Sequence, residues 1–217
     1  MKEIVDDVSS FDFFPSTIYV VSKPEFLADV TAVSEEKLKD QRKNKNDIYP
    51  VVMSGDLLED ERVREFSQYV LQMSWEILAD QGYAIDLFTL GYTEFWTQEH
   101  YKGSGMDYHT HSNFSQLIGF YVLDAPETGS DLILHDPRTG KVQIDLPEKD
   151  PVKITKASSR VFMKLKKGDL ILTNAYIPHS FTRNMSNKPV RFVHMNVMAI
   201  PTQLMGQSCQ TNDVEVV

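Results

Sequence analysis

Hydrophobic positions along this chain follow two periods, a helical one over most of the stretch up to residue 84 and a strand-like one after it. The clearest helical stripe covers Glu59 to Asp80. There Val63, Phe66, Val70, Met73 and Ile77 step by three and four residues, and Gly82 supplies a stop. A second stripe, Phe26, Leu27, Val30 and Val33, predicts a helix running to about Leu38. It opens on Ser22-Lys23-Pro24-Glu25, which has the form of a capping box with proline near the first helical position. The charged and amide-rich segment Lys39 to Asp47 reads as a surface loop, and Phe11 to Val21 as a turn feeding a short β-branched strand.

From Ile85 onward the apolar blocks are short. They predict strands at Ile85–Trp96, Ser115–Leu123, Asp131–Leu134, Lys141–Leu146, Arg160–Leu165, Asp169–Thr173, Ser180–Arg183 and Val190–Ile200. Turn residues separate them: Pro126 to Gly129, Pro137 to Gly140, Lys167-Gly168-Asp169, and Asn184 to Pro189. Short strands in series, with helices confined to the N-terminal half, predict a mainly β protein. The expected architecture is a two-sheet, cupin-like jelly roll flanked by two to three α-helices. We expect one domain over residues 1–217: an N-terminal strand and supporting helices (1–84), the jelly-roll core (85–200) and a polar tail (201–217).

Composition narrows the function classes. The chain has 217 residues, 41% of them hydrophobic and 24% charged, which is ordinary for a soluble globular protein. Its formal net charge of -9 argues against a nucleic-acid partner, because neutralising phosphates takes clustered Lys and Arg. The basic run KLKDQRKNK is interrupted by acidic and amide residues and reads as a solvated helix end. The single cysteine, Cys209, excludes an intrachain disulfide, so nothing demands an oxidising compartment. No apolar stretch approaches the ~18 residues of a membrane span, and MKEIVDDVSS lacks a leader's apolar region. A cytoplasmic protein without a membrane partner is the expectation. Oligomeric state is not encoded legibly.

The candidate chemistry lies in the histidines. His109 and His111 are two apart, so on a strand both rings would project from one face. Ile177-Pro178-His179 offers a third imidazole, and Arg191 follows in the apolar strand RFVHMNV. Imidazoles crowd together when a metal offsets the cost of desolvating them. Without cysteine nearby, tetrahedral structural zinc is disfavoured, and a facial site with open positions suits redox iron. The usual form of that site is two histidines and one carboxylate. The third ligand is therefore open between His111 and a carboxylate, with Asp107 and Asp136 as candidates.

Arg191 is either a sheet-edge salt bridge or a bidentate clamp for a dicarboxylate. Tyr121 is either core or a second donor to that carboxylate. Trp96 reads as core, with a substrate-lining role as the alternative. Asp136-Pro137-Arg138 is a turn that could also touch substrate.

These residues resemble the 2-oxoglutarate and Fe(II)-dependent oxygenases, most closely a family of them common in bacteriophages and marine bacteria. The stretches that carry the resemblance are Phe14-Pro15-Ser16-Thr17-Ile18, Phe95-Trp96-Thr97-Gln98 with Lys102-Gly103, and His109-Thr110-His111. Further along come Gly119-Phe120-Tyr121-Val122-Leu123, Asp136-Pro137-Arg138, Lys167-Gly168-Asp169-Leu170 through His179, and Arg191 with Asn196. Together they span about residues 11–198.

The resemblance implies a double-stranded β-helix, His109 and His179 as iron ligands, and Arg191 on the distal carboxylate of 2-oxoglutarate. It departs from the family at Ser112, where a proline is usual, so that His111 or Asn113 could take the carboxylate's position. It departs again at Tyr121-Val122, where two tyrosines are common and a one-residue shift reverses the face. The implied activity is hydroxylation of an unidentified prime substrate by O2 and 2-oxoglutarate, releasing succinate and CO2. If the chain is phage-encoded, this takes place in the host cytoplasm. Two rivals remain: a cupin-like metalloenzyme that does not use 2-oxoglutarate, and a non-catalytic jelly-roll binding protein.

Overall fold

The computed structural model describes residues 9–111, 114–143 and 146–204. The expectations that fall on Ser112, Asn113 and the polar tail beyond residue 204, with Cys209, lie outside the described residues.

Strand β1 (Ile18–Ser22) leads through a single turn of 3-10 helix into helix α1 (Leu27–Gln41). Pro24 starts that turn, as its fixed φ favours, but the capping box does not form. Ser22 is instead paired into β1, opposite Asp169. Strand β2 (Val51–Asp56), which the hydrophobic pattern does not predict, precedes helix α2 (Arg64–Asp80). Asp60 caps the turn before α2, its carboxylate accepting from the Arg62 backbone N–H. The stripe Phe66, Val70 and Ile77 is buried as its spacing predicts.

The remaining strands are β3 (Phe88–His100), β4 (Met106–His109), β5 (Ser115–Asp124), β6 (Asp131–His135), β7 (Arg160–Lys164), β8 (Asp169–Asn174), β9 (His179–Phe181) and β10 (Val190–Pro201). The strand expected at Lys141–Leu146 is absent among the described residues; Thr139–Gln143 forms a 3-10 turn.

Six strands form one antiparallel sheet in the order β1-β8-β5-β10-β3-β2, and four form a second in the order β4-β9-β6-β7. Long-range order of this kind, with sequence neighbours scattered between two sheets, is the double-stranded β-helix, as expected. Two apolar layers result. Phe120, Val122, Leu134, Ile171, Phe181 and Phe192 fill the space between the sheets. Tyr121, Leu123, Val193, Met195 and Val197, from the opposite face of the same strands, pack against Val33, Phe66 and Val70 of the helices. Gly119 permits the crossing of β5 between its neighbours, since a Cβ there would lie 2.8 Å from Leu172 and Met195 side chains. Gly168, at φ +87, makes the turn into β8 that Lys167-Gly168-Asp169 predicts.

Candidate metal centre

The register of the small sheet brings the histidines together. His109 ends β4 directly opposite His179 on β9, and the backbone N–H of His111 bonds the Ala175 carbonyl at 3.1 Å. The ring centroids of His109 and His179 are 4.2 Å apart, and each lies 5.1 Å from that of His111. One ligand nitrogen from each of the three falls within 4.8 Å of the others.

Local hydrogen bonds orient the rings. His109 Nδ1 is held by the Asp107 carbonyl at 2.7 Å and His179 Nδ1 by that of Ile177 at 3.1 Å, so each ring turns its Nε2 into the cluster. His179 Nε2 and His111 Nε2 are buried without a partner. Burial, chiefly, drives the His179 imidazole down to about 3 and His111 to about 4, and the neighbouring histidines add to the shift. Both are neutral at physiological pH, the form that binds metal. Two buried nitrogens with no hydrogen-bond partner, beside the His109 ring, fit a metal ion.

Neither of the carboxylates proposed from sequence reaches the cluster. Asp107 contributes a backbone carbonyl and exposes its side chain. Asp136 is bound by Arg138 at 2.7 Å and Lys141 at 3.4 Å, which holds its carboxyl far below the usual range. The carboxylate that does arrive is Glu94 of β3, which sequence reasoning missed. It lies opposite Asn196 on β10, accepts from Asn196 Nδ2 at 2.7 Å and pairs with His194 Nε2 at 2.9 Å. That hydrogen bond to His194, chiefly, lowers the Glu94 carboxyl. Asn196 Nδ2 also meets His111 Nδ1 at 3.0 Å. The signal was present in the alternation of β3, where Glu94, Trp96, Gln98 and His100 put polar groups on every inward position.

Arg191 and Tyr121 lie on the opposite face of the sheet from the histidines. Strand alternation turns Phe192, His194 and Asn196 inward, and therefore turns Arg191 outward, toward α1. Its guanidinium pairs with Glu35 of α1 and with Asp124 at 2.6 Å, and Glu99 is 3.7 Å away. Tyr121 faces the same way: its ring lies 4.5 Å from that of Phe66, and its hydroxyl donates to the Lys23 carbonyl at 2.6 Å. Neither side chain faces the histidines. Trp96 does face inward, 5.4 Å from the His194 ring, with its Nε1 buried and unpartnered.

Residues 94–193, just under half of the chain, match the family model described as "Putative 2OG-Fe(II) oxygenase". That segment contains Glu94, His109, His111, His179 and Arg191.

Solved structures share the fold at low identity. A Pseudomonas putida prolyl-4-hydroxylase is 9% identical, with a TM-score of 0.58 over 84% of this chain and 92% of that one. The epimerase SnoN, in complex with Fe3+, alpha ketoglutarate and nogalamycin RO, is 15% identical, with a TM-score of 0.59 over 93% and 89%. A 2OG-Fe(II) oxygenase family oxidoreductase from Burkholderia pseudomallei is 8% identical, with a TM-score of 0.57 over 83% and 84%. No curated protein matches the chain in sequence. The fold is shared with these solved structures, and the matched segment is similar to the 2OG-Fe(II) oxygenase family model.

Proposed function

We propose that this protein is an Fe(II)- and 2-oxoglutarate-dependent dioxygenase that hydroxylates an unidentified substrate, with His109, His111 and His179 holding the iron. The observation that carries this reading is the convergence of three imidazoles, with His111 Nε2 and His179 Nε2 buried without a partner. Bound iron supplies the activation of O2 that couples decarboxylation of 2-oxoglutarate, to succinate and CO2, to oxidation of the substrate. The chain's own part is orientation and exclusion of water. The Asp107 and Ile177 carbonyls fix two of the rings, and Phe120 walls the cluster at 5.5 Å from His179.

The dicarboxylate is not clamped by Arg191, which the helix-side carboxylates engage. Trp96 Nε1, a buried donor without a partner beside His194, is the inward group suited to an anionic co-substrate. We take residues 1–217 as one oxygenase unit. We also assign it to the cytoplasm, in keeping with the resemblance to phage and marine bacterial oxygenases; no helix among the described residues is long and apolar enough to cross a membrane.

Anaerobic titration with Fe(II) and then 2-oxoglutarate tests the reading. The weak visible charge-transfer band of the chelate is expected only with both present, and is lost in His179→Ala. One observation favours a second reading: the engagement of Arg191 suits a cupin-like metalloenzyme without 2-oxoglutarate. Metal binding with no response to 2-oxoglutarate would select it.

A further inference from the structure

A cavity of about 490 Å³, the size of a small-molecule site, is lined by residues of β1, β6 and β7 and of the segments beside them. Ile18, Leu134, Val161 and Ile177, at the margin of the core between the sheets, give it an apolar surface. Two of these adjoin the proposed metal ligand His179. Leu134 is its partner across the sheet, and the Ile177 carbonyl holds its Nδ1 at 3.1 Å. None of the three clustered histidines lines the cavity, which therefore begins beside the metal centre and leads away from it.

The walls are held by the chain itself. The Asp136 N–H bonds the Ser159 carbonyl at 3.0 Å and Lys141 Nζ bonds that of Ser158 at 2.8 Å, closing the connection between β6 and β7. Asp12 pairs with Lys156 and joins that connection to the segment before β1.

Two features of the lining define what fits. Phe13 and Phe14 border the cavity, yet are 73% and 89% exposed. Phe14 also holds φ +58, a left-handed conformation that bulky side chains rarely adopt, and so exposed a ring does not recover that cost by packing within the chain. An apolar body laid against these rings recovers it.

The second feature is an imbalance of charge. Arg138 is held by Asp136 at 2.7 Å and Lys156 by Asp12, but Arg160 has no carboxylate partner among the described residues. Arg160 stands opposite His135, whose Nε2 is engaged with Ser180 at 2.9 Å. In a chain of net charge -9, a guanidinium left open at a cavity is suited to an acid group. 2-Oxoglutarate has no apolar body to set against the phenyl rings, so the lining suits a different molecule.

We propose that this cavity takes the prime substrate, a small acid with an apolar body: the body lies along Phe13, Phe14, Leu134 and Ile177, and the acid group on Arg160. This rests on the reading of His109, His111 and His179 as the iron site, beside which Leu134 and Ile177 place the body.

Calorimetry of the metal-free protein with 3-phenylpropionate and octanoate, and with their uncharged amides, tests the lining. Each acid is expected to bind about tenfold more tightly than its amide, and Arg160→Gln to abolish the difference. Arg160 is exposed, so its replacement spares the fold. Equal binding of acid and amide, a preference that Arg160→Gln leaves intact, or no binding of either overturns the proposal. 2-Oxoglutarate should not displace the acids; displacement would make Arg160 a co-substrate clamp, overturning the proposal and sparing the proposed function. With Mn(II) added, the proton resonances of the bound acid should broaden in the unaltered chain, and neither with Zn(II) in its place nor in His179→Ala. Mn(II) that dialysis shows to be bound, without broadening, overturns the substrate role alone. Failure of Mn(II) to bind overturns the iron reading and the substrate role with it, even where the acids bind through Arg160.

Discussion

The two faces of β10 carry opposite kinds of polar chemistry. On the helix side Arg191 meets Glu35 and Asp124, and Arg42 holds Glu99 through two hydrogen bonds at 2.8 Å. Lys167 adds a contact to Asp124 at 3.2 Å. Charge is matched there, with Arg191 Nε alone of that guanidinium left without a hydrogen bond, 3.7 Å from Glu99, and its work is to fix α1 on the sheet. On the inner side His194 and Asn196 stand beside His111, His179 and Trp96, where buried nitrogens and an amide oxygen lack partners. A folded protein satisfies its buried polar groups unless something else is to satisfy them. The matched face therefore reads as scaffold and the unmatched face as site. A sequence motif that counts residues without assigning faces cannot tell the two apart.

The sharpest way to break this contrast is Arg191→Ala. Removing the guanidinium leaves Glu35 and Asp124 facing each other, partly compensated by Arg42 and Lys167. We expect a loss of about 2–3 kcal/mol in stability, measured by denaturant unfolding, with 2-oxoglutarate affinity unchanged. A fall in that affinity with unchanged stability would put Arg191 back in the site.

The inner face makes a pH prediction for the metal-free protein. The folded-state value of His179, about 3, lies below its ordinary 6.5, so the unfolded chain binds the extra proton first. Stability is then fully present above about pH 6.5 and falls as pH drops from there toward the folded value. The slope approaches about 1.4 kcal/mol per pH unit from His179 alone, and His111 steepens it. Saturating metal should move the decline to lower pH. A melting series from pH 7.5 to 4.5 would show it, and a flat profile would contradict the burial of these rings.

Trp96→Phe keeps an aromatic ring beside His194 and deletes the unpartnered donor. It should weaken 2-oxoglutarate binding roughly tenfold in the charge-transfer titration, the worth of one hydrogen bond to a charged group, while Fe(II) affinity holds. The smallest effect belongs to Tyr121→Phe, which loses only the bond to the Lys23 carbonyl. About 1 kcal/mol of stability should go, with no change in metal or co-substrate binding.

Much of this arrangement was legible before any coordinates. Although Ile85–Leu87 forms a 3-10 turn and β4 was not foreseen, the α2 stripe, most of the strand blocks and the glycine turn at Gly168 rest on local periodicity and backbone preference, which a short window of sequence contains. So does the H-x-H spacing, although His111 lies just beyond the end of β4 and owes its position to the Ala175 carbonyl. β2 escaped because Val51-Val52-Met53-Ser54 is short and lies at a sheet edge, where pairing with β3 rather than its own pattern makes it a strand. The Lys141–Leu146 block misled for the converse reason: at Thr139–Gln143, where it begins, local apolar character found no strand to pair with.

What the sequence determined by itself was the class of fold and the residue types of a metal centre, because both follow from local pattern and donor chemistry. Tertiary structure alone decided which face each strand turns to the interior. That choice sent Arg191 and Tyr121 to the helices and brought Glu94, His194 and Asn196 to the histidines. The physical reason is the two-residue period of a β-strand. Bulges shift the register of β10 near Arg191 and beyond Asn196, and a shift of one residue exchanges the faces, so inward and outward are settled by pairing across the sheet and not by spacing along the chain.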